Sequence, residues 1–116
     1  MFRFEELDIW KLAIAYAEEI YELAQKLPAH EKYNLTEQLK RAALSISNNI
    51  AEGSGTTTVK NFKSFLDISI SSILETVNIL HFAKRRGYIS ETERFDCYQK
   101  AEVLIKKIRA FKKALR

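Results

Sequence analysis

At 100° per residue, the angular step of an α-helix, residues 38–53 separate into two stripes. Leu39, Ala42, Ala43, Ile46, Ile50 and Gly53 share an apolar arc. Beside it Gln38, Arg41, Ser45, Asn48 and Glu52 recur at steps of 3 and 4, with Asn49 on the border. That second stripe has the spacing of a helix–helix seam, yet every residue in it is polar. Ser and Asn are poor helix-interior residues because their side chains compete for backbone partners. The stripe therefore predicts a side-chain hydrogen-bond network that fixes helix register or subunit pairing, the alternative being a ligand or nucleic-acid site.

The same period predicts three further helices. The first, about 7–27, repeats Leu7, Trp10, Ile14, Ala17, Tyr21 and Ala24, keeps Glu18, Glu19 and Glu22 off the stripe, and is ended by Pro28. Trp10 reads most simply as a core anchor, base stacking being the lesser reading. The second helix, about 35–53, opens on Asn34-Leu35-Thr36-Glu37, a capping-box pattern, and closes at Gly53 and Gly55 in a left-handed turn. The third, about 58–86, follows Thr56-Thr57-Thr58 and turns Phe62, Phe65, Leu66, Ser69, Ile70, Ile73, Val77 and Leu80 inward until Gly87 stops it. The fourth, about 91–115, opens on Ser90-Glu91-Thr92-Glu93 and buries Phe95, Tyr98, Ala101, Ile105, Ile108, Phe111 and Leu115. Short connections between four helices predict an all-α fold, an antiparallel up-down-up-down four-helix bundle in one domain over 1–116. On the third helix Ile68, Ile79 and Phe82 form a second patch opposite the main arc, with Glu75 in its middle. A bundle helix needs one buried face, so this patch predicts an oligomer interface. A desolvated Glu75 would need a cation, and Arg41 is the expected partner.

Arg41-Ala42-Ala43, Ser45-Ile46 and Asn49-Ile50-Ala51-Glu52-Gly53 resemble the signature of the small four-helix-bundle proteins encoded in intervening sequences of bacterial large-subunit rRNA genes. The accessory variability proteins of diversity-generating retroelements share that architecture. Phe4, Leu7, Trp10, Lys11 and Ala13, Pro28 ahead of Tyr33, and Leu74-Glu75 extend the resemblance over nearly the whole chain. Ile70-Ser71-Ser72 departs from it, standing where a Gly-Ser pair is expected. The resemblance implies a homopentameric ring, a loosely defined nucleic-acid role, and no catalytic residues.

Composition changes the picture in two places. One cysteine, Cys97, precludes an internal disulfide and suits a reducing cytoplasm. Charge is unevenly spread: residues 1–37 carry 4 basic and 8 acidic side chains, 38–83 carry 4 and 3, and 84–116 carry 11 and 4, a drift from −4 through +1 to +7. Such asymmetry points to an anionic partner or to self-association of opposite faces. No window reads as a run of about 20 uncharged apolar residues, so no membrane span is expected. Glu5, Glu6 and Asp8 likewise argue against a secretory signal at the start.

No catalytic constellation emerges. His30 and His81 are isolated, Cys97 lacks a cysteine partner, and no Glu-x-x-His pair suits a di-metal bundle, so neither enzyme, cofactor nor metal is expected. Gly53-Ser54-Gly55 lacks the Lys-Ser/Thr pair of a phosphate loop. The leading candidates are cations: Lys84, Arg85, Arg86, Lys106, Lys107, Arg109, Lys112, Lys113 and Arg116, suited to RNA or DNA phosphates, or to a nucleic-acid-processing protein, by charge and shape. The plainer account of these residues is a solvated face that complements helix dipoles. The alternative function is a structural adaptor ring that binds another protein.

Overall fold

The computed structural model describes residues 1–116. Four helices carry the chain: α1 (Asp8–Ala24), α2 (Leu35–Ser54), α3 (Val59–Arg85) and α4 (Glu91–Ala114). Short 3-10 turns lie at Arg3–Glu6 and Ala29–Glu31, and there is no strand.

The helix ends follow from local chemistry, with three departures from expectation, the first being that α1 stops at Ala24, three residues before the expected end at 27. Thr58 caps α3 by accepting a hydrogen bond from the Asn61 amide, and Ser90 and Glu93 close a reciprocal capping box on α4. Gly87 ends α3 with φ +77, donating to the Lys84 carbonyl while the Tyr88 amide donates to Ala83, the paired bonds of a left-handed helix stop. Asn34, in contrast, makes no side-chain cap on α2; its amide turns back to the Glu31 carboxylate at 3.2 Å. The close of α2 also differs. Gly53 lies inside the helix and Gly55 ends it in a right-handed conformation. Gly53 is needed for space: a Cβ there would stand 2.7 Å from Phe65 Cβ and 2.9 Å from Phe62 Cδ1. Glycine lets α3 approach α2 at this level.

Each helix packs on its neighbours in the order α1, α2, α3, α4 and back to α1. Phe111 with Phe62 and Lys112 with Asp67 join the start of α3 to the end of α4, and Lys84 with Glu91 joins their other ends. Lys26 with Glu93 and Lys100 with Glu19 join α1 to α4. The body measures 45 × 25 × 22 Å.

The core holds Ile20, Leu39, Ile46, Ile50, Leu66, Ile73, Leu80 and Ile108, each essentially inaccessible. On α1 the buried face is rotated from the expected stripe: Ile9, Ala13, Tyr16, Ala17, Ile20 and Leu23 are inside, whereas Tyr21 is exposed. On α4 the buried residues are Cys97, Ala101, Leu104 and Ile108, and Phe95 lies outside. Tyr16 is the polar member of the core. Its hydroxyl meets Thr76 Oγ1 at 2.8 Å, linking α1 to α3 across the bundle diagonal. Thr76 spends its single proton on the Ile73 carbonyl at 2.6 Å, so Tyr16 is the donor. Burial raises the Tyr16 pKa further above its ordinary range.

By length and mean hydropathy α3 is apolar enough to cross a bilayer, although Asp67 and Glu75 interrupt it and it is no uncharged apolar run. In the fold Phe62, Leu66, Ile73 and Leu80 on this helix are consumed by the core, and Ser69 and Thr76 hydrogen-bond among them.

Candidate nucleic-acid interface

The polar stripe of α2 divides in two. Its half-buried members bond to α3 or to their own turn: Ser45 Oγ meets Ser72 Oγ at 2.9 Å and Asn49 donates to the Ser45 carbonyl at 2.8 Å, while the exposed Gln38 donates from Nε2 to Glu75 at 3.4 Å. Ser69, from α3, donates to the Ile46 carbonyl at 2.9 Å. In the segment that departs from the expected Gly-Ser pair, Ser72 supplies the hydroxyl that meets Ser45 on α2. The outer members, Arg41, Asn48 and Glu52, face solvent. Near the start of α2, Arg41, Gln38, Ser45 and Glu75 line a cleft of about 510 Å³ with Tyr33 and Glu37.

The expected Arg41–Glu75 ion pair is not formed. Arg41 pairs with Glu37, one turn earlier on its own helix, and both are largely exposed. An i,i+4 partner is reached without crossing between helices, so the local carboxylate wins. Glu75 is exposed, with Gln38 as its partner. The expected apolar patch is also corrected at one position. Ile68 and Phe82 are 48% and 49% exposed, but Ile79 is 3% exposed and belongs to the core. Helix α3 packs against α2 on one flank and α4 on the other, which widens its buried arc beyond one stripe. Leu74, at 52% exposure, is an exposed apolar residue on α3 that the pattern did not single out.

The cations of residues 84–116 do not form one surface. Lys84, Arg85 and Arg86 sit at the end of α3, beside the start of α4, where Lys84 pairs with Glu91 at 3.5 Å. Arg94 binds the same Glu91, and that bond holds the Glu91 carboxyl down at about 2. The remaining candidates lie toward the other end of α4. There Lys112 reaches Asp67 on α3 at 2.7 Å. Arg109, Lys112 and Lys113 line a shallow cleft of about 420 Å³ with Lys63, Asp67 and Ile70. Lys106, Lys107 and Arg116 are exposed and do not line it. Sequence reasoning missed Lys63 because it lies outside the basic C-terminal third; only the meeting of α3's start with α4's end brings it in. Arg85, Arg86, Lys106, Lys107, Arg109, Lys113 and Arg116 have no carboxylate within 4.0 Å. Lys100, in contrast, is tied to Glu19 and Asp96, which raise its pKa.

No group of three His, Cys, Asp or Glu side chains is placed to hold a metal ion. Cys97 is buried as a free thiol, and burial pushes its pKa from 9.0 up to about 11.

Four helices without strands, a core closed on all four, and a surface whose chemistry is charge define an all-α bundle protein. Residues 5–110 match the family described as 23S rRNA-intervening sequence protein, and the chain belongs to that family. The fold is similar to the crystal structure of a protein of unknown function from the S23 ribosomal protein family of Bacteroides thetaiotaomicron. The TM-score is 0.82 at 21% identity, covering 91% of this chain and 99% of that one. No functionally curated protein matches the sequence.

Proposed function

We propose that this chain is a non-enzymatic, cytoplasmic protein, an up-down-up-down bundle that assembles into a homo-oligomeric ring, a pentamer by family resemblance. The ring binds RNA or DNA, or a nucleoprotein containing them, by charge and shape. The observation that carries this reading is the set of seven cations between Arg85 and Arg116 that have no ion-pair partner. A solvated face built for solubility alone would interleave both signs, whereas Arg85 and Arg86 lie at the end of α3 and the other five follow one another along the second half of α4 and just past it. Phosphate recognition asks for clustered cations on a trackable surface and no fixed constellation. The family's description, which refers to 23S rRNA intervening sequences, fits a nucleic-acid context.

Assembly is supported by Ile68, Leu74 and Phe82, three half-exposed apolar residues on one helix. Repetition around a ring would multiply a weak basic patch through effective concentration. Light scattering at micromolar concentration should return a mass several times 13.5 kDa. In anisotropy competition, unrelated nucleic-acid sequences of equal length should displace one another equally. A monomer would remove the ring, and strong preference for one sequence would remove the charge-and-shape mode. The adaptor alternative predicts a protein partner whose binding survives nuclease.

A further inference from the structure

We infer that the cleft between the start of α3 and the end of α4 is a phosphate site. Lys63, Arg109 and Lys113 take the anion there, and Asp67 competes with it for Lys112. The nucleic-acid reading above supplies the ligand's identity; the cleft itself stands on its own geometry. Its lining holds four cations and one carboxylate, a local charge of 4 − 1 = +3 within about 420 Å³. The buried Ile70 also lines it.

Helix dipoles account for only part of this cluster. Lys112 and Lys113 sit in the last turn of α4, where the negative helix end favours them. Lys63 lies just past the first turn of α3, at the positive helix end, and that first turn has no acidic residue to offset it. A lysine there gains nothing from the dipole, and it faces three more cations. Asp67 offsets one of the four charges, so the remaining like charges favour a further anion among them.

Asp67 gives the cleft a built-in competitor. Its pairing with Lys112 at 2.7 Å ties α4 to α3, but the two side chains are 57% and 34% exposed. Exposed pairs of this kind are weak, so a phosphate carrying more charge can displace the carboxylate. Arg109 adds a planar fork suited to two phosphate oxygens at once.

The test uses the full-length protein and short mixed-sequence single-stranded RNA, with binding followed by anisotropy over a range of salt. Replacing Lys63, Arg109 and Lys113 together by Gln should flatten the slope of log affinity against log salt by about 2, three contacts at roughly 0.7 each. Asp67→Asn should tighten binding and steepen the slope, because it frees Lys112. Tripolyphosphate, followed by amide NMR shifts, tests the cleft without nucleic acid and should perturb residues around 63, 67 and 109–113. If the triple variant keeps affinity and slope while Arg85→Gln/Arg86→Gln loses them, the cleft inference falls and the nucleic-acid reading stands. If RNA does not bind but tripolyphosphate shifts these amides, the nucleic-acid reading falls and the cleft stands. If neither ligand acts, both fall, and weaker binding by Asp67→Asn would overturn the competitor role. Far-UV circular dichroism checks that each variant is folded.

Discussion

Removing the two ends of the Tyr16–Thr76 hydrogen bond should have unequal costs. Thr76 donates to the Ile73 carbonyl, so Tyr16 must donate to Thr76. In Tyr16→Phe one hydrogen bond disappears, but the Thr76 proton keeps its acceptor, and the loss should be about 0.5–1.5 kcal/mol. In Thr76→Val the Tyr16 hydroxyl, on a residue only 3% exposed, loses its acceptor. A buried donor left unmatched costs about 1–3 kcal/mol, so this variant should be the less stable of the two. The double variant removes the orphaned group as well and should be more stable than Thr76→Val alone. Urea unfolding followed by circular dichroism, at one fixed protomer concentration, reads all three. With a slope of about 1–3 kcal/mol per molar urea, a ~2 kcal/mol loss moves the midpoint by roughly 1 M. Equal single losses would refute the donor assignment. Simple additivity would refute the contact itself.

Gly53→Ala should destabilise in spite of alanine's better helix propensity, because Phe65 Cβ at 2.7 Å is anchored to α3's backbone and the helices must part. Overpacking at about 1–3 kcal/mol outweighs the roughly 1 kcal/mol gained in propensity, and urea midpoints decide the sign. Stability should also fall in alkali. The Cys97 thiol, raised to about 11 by burial, contributes stability that is complete below its ordinary 9.0 and lost as pH rises through its folded value; Tyr16 adds to the same trend at higher pH. Cys97→Ala should remove the earlier part of that loss, as pH-dependent unfolding would show. In acid the depressed Glu91 and Glu93 carboxyls act in the opposite sense: their contribution is present above about 4.3 and is lost as pH falls toward their folded values. Ile68→Gln with Phe82→Gln should lower the scattering mass without unfolding the chain, and an unchanged mass would move the subunit contact elsewhere.

The helix count and the boundaries at Thr58, Gly87 and the Ser90–Glu93 box were legible because these signals act over a few residues, whereas α1 stops at Ala24, short of the end expected from Pro28. The rotation of α1 was not legible. Of residues 9–17 only Lys11 is not apolar or aromatic, so several faces satisfy a helical period and a stripe through Tyr21 fits as well as one through Tyr16. Arg41 shows a related limit. An angular plot places it beside Glu75 but does not weigh Glu37, one turn away on its own helix, and it is Glu37 that it binds. Ile79 lay on the border of two arcs, and the flanking helices decided its burial. The excess of C-terminal cations was visible at once, whereas their division between two ends, and the addition of Lys63 to one of them, depends on where distant turns meet.

The salt dependence of nucleic-acid binding by the unaltered protein tests the central claim most directly. With several phosphates neutralised by free lysines and arginines, log affinity for mixed-sequence RNA or DNA should fall linearly and steeply with log salt, by about 0.7–0.9 per phosphate contact. A flat dependence, or no binding at low salt, would contradict the account and leave these cations as a solvated face.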